Sequence, residues 1–183
     1  MENLTKYIND AYFIARSKGF YTEDRDDVEY LAAIHEELSE AFQCWNKHKG
    51  WLTCSPKPDG IYFELTDAVI RTLSFCGYKG IDLVSYNIET DRPYTQDDLC
   101  DVIVKSHAEL SQYYDAIMKD IPIDSYEEIL VQRCASRVLS RFIARIELFI
   151  EESSNDKLSL EDLIATKLSY NMTREVKHGG NNV

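Results

Sequence analysis

Residues 31–45 read LAAIHEELSEAFQCW, and the apolar positions Leu31, Ile34, Leu38, Ala41, Phe42 and Trp45 recur at intervals of three and four. That period is the stripe of an amphipathic α-helix and not the alternation of a strand. The same stretch carries Glu37 and Glu40, and a second carboxylate pair of equal spacing, Glu64 and Asp67, follows in IYFELTDAVIRTLSFCGYK, residues 61–79. Side chains at i and i+3 share a helix face, so each pair aims two oxygen donors the same way. Two packed helices could bring all four together, and hard oxygen ligands suit Mg²⁺ or Mn²⁺.

Outward from this stretch the helical period persists. Seven glycines and four prolines in 183 residues are few, and the spacing predicts an all-α helical bundle without strands. A first helix is expected from Leu4 to Lys18, with Tyr7, Ile8, Ala11, Tyr12, Ile14 and Ala15 on one side and Gly19 closing it. The second starts after Thr22 and reaches Lys47; a Pro/Gly loop covers residues 49–60; the third runs from Ile61 to Tyr78 and buries Ile61, Leu65, Ala68, Val69, Thr72 and Cys76. Further helices are expected from Gln96 to Met118 after Thr95, from the capping box Ser125-x-x-Glu128 to Glu152, and from Ser159-x-x-Asp162 to Arg174. The Gly/Asn-rich tail from Lys177 onward is expected to be mobile unless a ligand orders it. At about 100° per residue, Glu37 and Glu64 fall at the edges of their apolar stripes, and Glu40 and Asp67 about 60° further out. Both pairs should border the core.

A net charge of −12 argues against binding a nucleic-acid polymer through its phosphates. A metal-bridged nucleotide remains compatible, because the cation reverses the local sign. Cys44, Cys54, Cys76, Cys100 and Cys134 are scattered, with no C-x-x-C, and read as reduced structural residues. No signal peptide and no apolar run of roughly 20 residues is present, so a cytoplasmic protein without membrane association is expected.

Two internal echoes bear on the domain plan. His35-Glu36-Glu37-Leu38-Ser39 recurs as His107-Ala108-Glu109-Leu110-Ser111, and Ser85-Tyr86-Asn87 as Ser169-Tyr170-Asn171. One reading is a single all-α domain over 1–183 made of two diverged helical repeats, 1–94 and 95–183, forming a pseudodimer. The other is one helical domain carrying an inserted hairpin over about 90–155. If the repeats are real, Glu109 echoes Glu37, Gln112 echoes Glu40, and Arg133 and Ser136 stand where Glu64 and Asp67 would be. Only the first repeat then keeps the acidic site.

Glu36-Glu37-x-x-Glu40 followed by Glu64-x-x-Asp67 resembles the E-E-x-x-E and E-x-x-D signature of the MazG-like all-α nucleoside triphosphate pyrophosphohydrolases. Lys167-Leu-Ser-Tyr170-Asn171-Met-Thr173-Arg174, running on to Lys177-His178-Gly179-Gly180, is similar to the K-x-x-Y-N-x-T-R-P-Y-x-H-G-G ending of part of that family. Gly80-Ile81-Asp82-Leu83 is a weaker match. Glu175 stands where the family has proline, Val176 about where it often has an aromatic residue, and the stretch 90–155 matches poorly.

The resemblance implies a Mg²⁺-dependent enzyme, with Mn²⁺ as substitute, that cleaves a nucleoside triphosphate to its monophosphate and pyrophosphate in nucleotide house-cleaning. Glu37, Glu40, Glu64 and Asp67 are then the metal ligands. Glu36 is the candidate general base, with Glu40 as its competitor. Lys167, Asn171 and Arg174, spaced i, i+4 and i+7, would bind the triphosphate. Tyr12, Trp45, Trp51, Tyr62 and Tyr86 could stack on a base, although most aromatics at helical spacing are core. A homodimer is compatible with this reading, as is one site per chain. His35 and His107 read as packing or surface residues.

Two rivals differ in class. A carboxylate-bridged di-iron bundle needs Glu-x-x-His pairs on two helices, and the chain has a single such spacing, Glu175-x-x-His178, at the edge of its Gly/Asn-rich tail. A catalytically silent interaction or regulatory protein derived from the same family would not need intact acids at all four positions.

Overall fold

The computed structural model describes residues 3–22, 26–47, 50–54, 57–117 and 125–174, with backbone alone at 117 and 125–129. The tail from Lys177 and the side chains of the Ser125 capping box lie outside the described residues. Six α-helices carry the fold: α1 Leu4–Ser17, α2 Asp27–Asn46, α3 Ile61–Lys79, α4 Leu99–Ile117, α5 Ser125–Ser153 and α6 Leu160–Thr173. Among the described residues there is no strand, only an isolated bridge between Thr53 and Asp59. The expected all-α fold is observed.

The local rules account for most helix ends. Asp26 caps α2 by accepting from the Val28 amide, four residues later than the predicted start after Thr22. Thr95 and Asp98 form a reciprocal capping box ahead of a short 3₁₀ turn, Gln96–Asp98, that leads into α4. Ser159 accepts from the Asp162 amide, as its spacing predicts. Gly80, at φ 66°, closes α3 in the left-handed conformation.

Helix α3 is the centre of the molecule. It packs against α1, α2, α5 and α6, so 14 of its 19 residues are buried, far more than the single stripe its period suggested. Its buried threonine hydroxyls are satisfied within the helix, Thr66 donating to the Tyr62 carbonyl at 2.7 Å and Thr72 to that of Ala68 at 2.8 Å. Phe42, expected in the α2 stripe, is 40% exposed; Cys44 takes its place in the core. Trp45, Trp51, Tyr62 and Phe149 pack ring against ring and close the core beneath the 50–60 loop.

Helices α2 and α3 form one hairpin, α4 and α5 another, and the two meet where α2 packs on α4. At that crossing the echoed histidines face each other, His35 Nδ1 lying 2.6 Å from His107 Nδ1 with the rings stacked 4° from parallel. Ser39 and Ser111 each donate to the carbonyl of the histidine four residues earlier, both at 2.9 Å. The buried Glu37 is paired with Arg71, 34 residues on, and the buried Glu109 with Arg145, 36 residues on. Counted from these arginines, Arg141 stands four residues before Arg145 as Asp67 stands four before Arg71. The second echo has no such basis: Ser85-Tyr86-Asn87 is irregular chain, whereas Ser169-Tyr170-Asn171 lies inside α6. The likeness seen here is between the two hairpins, and α6 packs on α1, α3 and α5.

Candidate metal and phosphate site

One cavity of about 280 Å³ opens between α1, α2, α3 and α6. Glu36, Glu37, Glu40, Glu64, Asp67, Lys167, Asn171 and Arg174, the candidate metal, catalytic and phosphate residues, all line it. Among the described residues, none of α4 or α5 lines it. Its volume is near the lower end of small-molecule pockets.

The helical spacing places the acids as expected. Glu37 and Glu64 sit at the core edge, 6% and 7% exposed, while Glu40 and Asp67 are half-buried and Glu36 is exposed on the rim. Glu37, Glu40 and Glu64 each offer an oxygen within 4.8 Å of the others. Ligand oxygens on opposite sides of one octahedral Mg²⁺ lie roughly 4 Å apart, so small side-chain rotations would let these three share an ion. Their chemistry, hard and anionic, fits that ion.

Electrostatics follow from crowding and burial. Burial pushes the Glu37 carboxyl up to about 7, with neighbouring Arg71 opposing the rise and Asp67 adding to it. Burial, reinforced by Asp67, pushes Glu64 up to about 8, and a hydrogen bond from the protonated Glu64 carboxyl to Asp59 acts in the same direction. Asp67 is also raised by burial, against the pull of Lys167. A divalent cation would relieve all three.

Protein cations already meet part of this charge. Arg71 Nε donates to Glu37 Oε1 at 2.5 Å. Lys167 pairs with Asp67, donates to the Pro58 carbonyl at 3.3 Å and lies 5.5 Å over the Phe63 ring. Lys167, expected on phosphate, is only 3% exposed and is held by Asp67 at the cavity wall. Arg174 is displaced from its expected place on the helix face: α6 ends at Thr173 and Arg174 is extended, at φ −70° and ψ 145°. Lys18 of the first interhelix turn donates to the carbonyls of Met172 and Arg174 and so ties that end down.

Sequence reasoning missed several lining residues. Arg71 was findable, because it lies four residues after Asp67 and seven after Glu64 on the same α3 face. Lys18 and Lys57 carry no local signal. With Arg71, Lys167 and Arg174 they bring five basic residues to one cavity, against five carboxylates, among the described residues of a strongly acidic chain. None of Tyr12, Trp45, Trp51, Tyr62 and Tyr86 lines it. The tryptophans and Tyr62 are committed to the core cluster, Tyr12 packs on Tyr21, and Tyr86 borders a small surface recess beside α5. Phe20, Tyr21, Tyr30 and Tyr170 line the cavity instead.

In the α4–α5 hairpin the equivalent cluster is closed. Arg145 Nη2 and Arg141 Nε lie 2.5 and 3.0 Å from Glu109, and Arg141 also donates to Gln112 at 2.5 Å. One carboxylate held by two guanidinium groups leaves no anionic donor set. Only the first hairpin keeps four acids. Comparison of the chain with protein-family models, curated proteins and solved structures finds no match.

Proposed function

We propose that the cavity is the active site of a Mg²⁺-dependent nucleoside triphosphate pyrophosphohydrolase, of the MazG-like kind that its E-E-x-x-E, E-x-x-D and K-x-x-Y-N-x-T-R motifs resemble. The observation that carries the reading is the convergence of five acids and five basic residues on one 280 Å³ cavity. Such a lining suits a polyanion that arrives with a metal. Glu37, Glu40, Glu64 and Asp67 would hold the ion, which when bound would offset charge on phosphoryl oxygens and acidify water.

The chain's own residues supply the rest. Arg174 and Lys57, exposed at the cavity, neutralise the phosphates, the arginine as a planar fork. Asn171 donates its amide to a phosphate or sugar oxygen. Glu36, exposed on the same face of α2, takes the proton of the attacking water, with Glu40 as competitor. The water adds to the α-phosphorus, the bond to the bridging oxygen breaks, and pyrophosphate leaves. Lys167 holds Asp67, and Arg71 holds Glu37, as positioning residues.

A second reading has one observation in its favour. Arg71 and Lys167 already pair two of the four acids, as they would in a catalytically silent relative kept for interaction or regulation. A pyrophosphate-release assay with standard and modified dNTPs and NTPs plus Mg²⁺ separates the two. Turnover of at least one substrate, abolished by Glu37→Gln and by Asp67→Asn with helicity unchanged, is expected. No turnover together with no calorimetric Mg²⁺ binding would leave the silent reading.

No helix among the described residues is long and apolar enough to cross a membrane. A cytoplasmic nucleotide hydrolase, acting as a monomer or homodimer, fits that and the acidic charge.

A further inference from the structure

We propose that the turn between α1 and α2, residues 19–22, is the nucleobase-recognition element of the cavity, with the Phe20 ring as a stacking face and the Tyr21 hydroxyl as a hydrogen-bond donor to the base edge. The inference rests on the nucleotide reading of the same site and extends it to the part of the substrate that carries identity.

The cavity is polarised along α3. Glu64, Asp67, Arg71 and Ser74 line it at i, i+3, i+7 and i+10, one face of the helix over about 15 Å at 1.5 Å per residue. Carboxylates mark one end. The other end, at Ser74, is walled by Tyr21, which receives the Ser74 hydroxyl proton at 2.8 Å. A nucleoside triphosphate has the same polarity, a metal-binding phosphate chain at one end and a planar aromatic base at the other.

The turn itself is held in a conformation that its sequence resists. Tyr21 has φ 61° next to Gly19 at 89°, and a left-handed tyrosine costs roughly 1–2 kcal/mol that the surroundings must override. Several contacts do so. The Tyr21 ring belongs to a triangle with Tyr30 and Tyr78, whose centroids lie 4.9 and 4.7 Å from it and 5.5 Å from each other, and Tyr12 packs on it at 5.5 Å. Phe20 N donates to the Ala15 carbonyl at 3.1 Å, and Thr22 Oγ1 to that of Gly19 at 2.9 Å.

These contacts divide the roles. Packed among three tyrosine rings, Tyr21 is committed to that cluster and offers a ligand its hydroxyl. Because Ser74 donates to that oxygen, the phenolic proton is left over, and among the described residues no acceptor takes it. Burial raises this hydroxyl far above its ordinary range, so the proton is retained throughout the physiological window. Phe20 is the opposite case. It lines the cavity, is 37% exposed, and among the described residues no aromatic ring packs on it. It is an open stacking surface at the end where a base belongs.

The test is steady-state kinetics with dUTP, dCTP, dGTP and dATP, using inorganic tripolyphosphate, which lacks a base, as a competitive inhibitor. Phe20→Ala should raise KM about tenfold or more for every nucleotide the protein hydrolyses, and Phe20→Trp should restore it. Tyr21→Phe should raise KM by about two- to tenfold, and unevenly across the four bases, because one donor meets a different edge atom in each. Inhibition by tripolyphosphate should be unchanged in all three variants. Unaltered KM values in an active protein, or equal weakening of tripolyphosphate, would overturn the inference while the pyrophosphohydrolase reading stood. Absence of any nucleotide turnover by the unaltered protein would remove both.

Discussion

Glu37 and Glu64 carry carboxyls raised from an ordinary 4.5 to about 7 and about 8, first by burial and then by the crowding of acids. At these two carboxyls the folded state therefore binds more protons than the unfolded chain between about pH 4.5 and 8, and their contribution to metal-free stability falls as pH rises through that window, unopposed by the histidines above about pH 6.5. Mg²⁺ needs the deprotonated forms. Thermal unfolding without metal should show a midpoint that declines from about pH 6.5 to pH 8.5, while the stabilisation conferred by saturating Mg²⁺ grows over the same range. A metal effect independent of pH would contradict these ligands. Lys167 supplies a second prediction at this scale. Lys167→Met strands Asp67 beside the cavity and should destabilise by about 1–3 kcal/mol, discounted from a fully buried pair because Asp67 is partly exposed. The double variant Lys167→Met/Asp67→Asn should regain much of that loss in chemical denaturation. The acids themselves were legible because an i, i+3 pair at a stripe edge is a local pattern. That Lys167 is held by Asp67 was not, because it depends on how α6 crosses α3.

Helix positions were read well from periodicity, and the errors have a common cause. Phe42 lies in phase with Leu38 and Trp45 yet is 40% exposed, because the period gives the direction of a stripe and not the width that neighbours cover. In α3 the neighbours cover almost everything. Gly77 illustrates the same limit: a glycine inside a helix reads as a weak point worth about 1 kcal/mol against alanine. Here an added Cβ would meet Tyr12 Cβ at 2.6 Å and the Ile8 carbonyl at 3.3 Å. Glycine is what lets α1 lie against α3. Gly77→Ala should therefore destabilise, by about 1–3 kcal/mol, when propensity alone predicts the reverse. At about 2–4 °C per kcal/mol for a chain of this size, a calorimetric melting curve decides the sign.

At the scale of the whole molecule the two hairpins meet through His35 and His107. Burial lowers the pKa of both, and each ring's neighbour is the other, with His107 the second cause of the shift at His35. The folded state then resists protonation, so this contact contributes its full stability above about pH 6.5 and loses it as pH falls through the folded-state values. Imidazole NMR titration should place both midpoints below 6.5, and His107→Asn should move His35 back toward 6.5. Midpoints at or above 6.5 in the intact protein would show that the rings share no desolvated contact. Repetition of His-x-Glu-Leu-Ser announced a relation between segments, but its extent depended on which helices pack together. The echo at Ser85 and Ser169 had no structural counterpart, because one copy is irregular chain and the other is helix.

A motif resemblance singled out Glu36, Lys167, Asn171 and Arg174, whereas local chemistry, in short spacings and capping residues, determined the all-α class, the helix limits to within a few residues and the two carboxylate pairs of the cavity. It could do so because apolar period, capping and i, i+3 pairing are properties of neighbouring residues on one helix. Only the tertiary structure decided that α3 is central and that α4 and α5 stay outside the cavity. It also assigned Arg71 and Lys167 to the acids and brought Phe20 and Tyr21 to the far end of the site. Those facts depend on which helix faces meet across long sequence separations, and no local spacing encodes them.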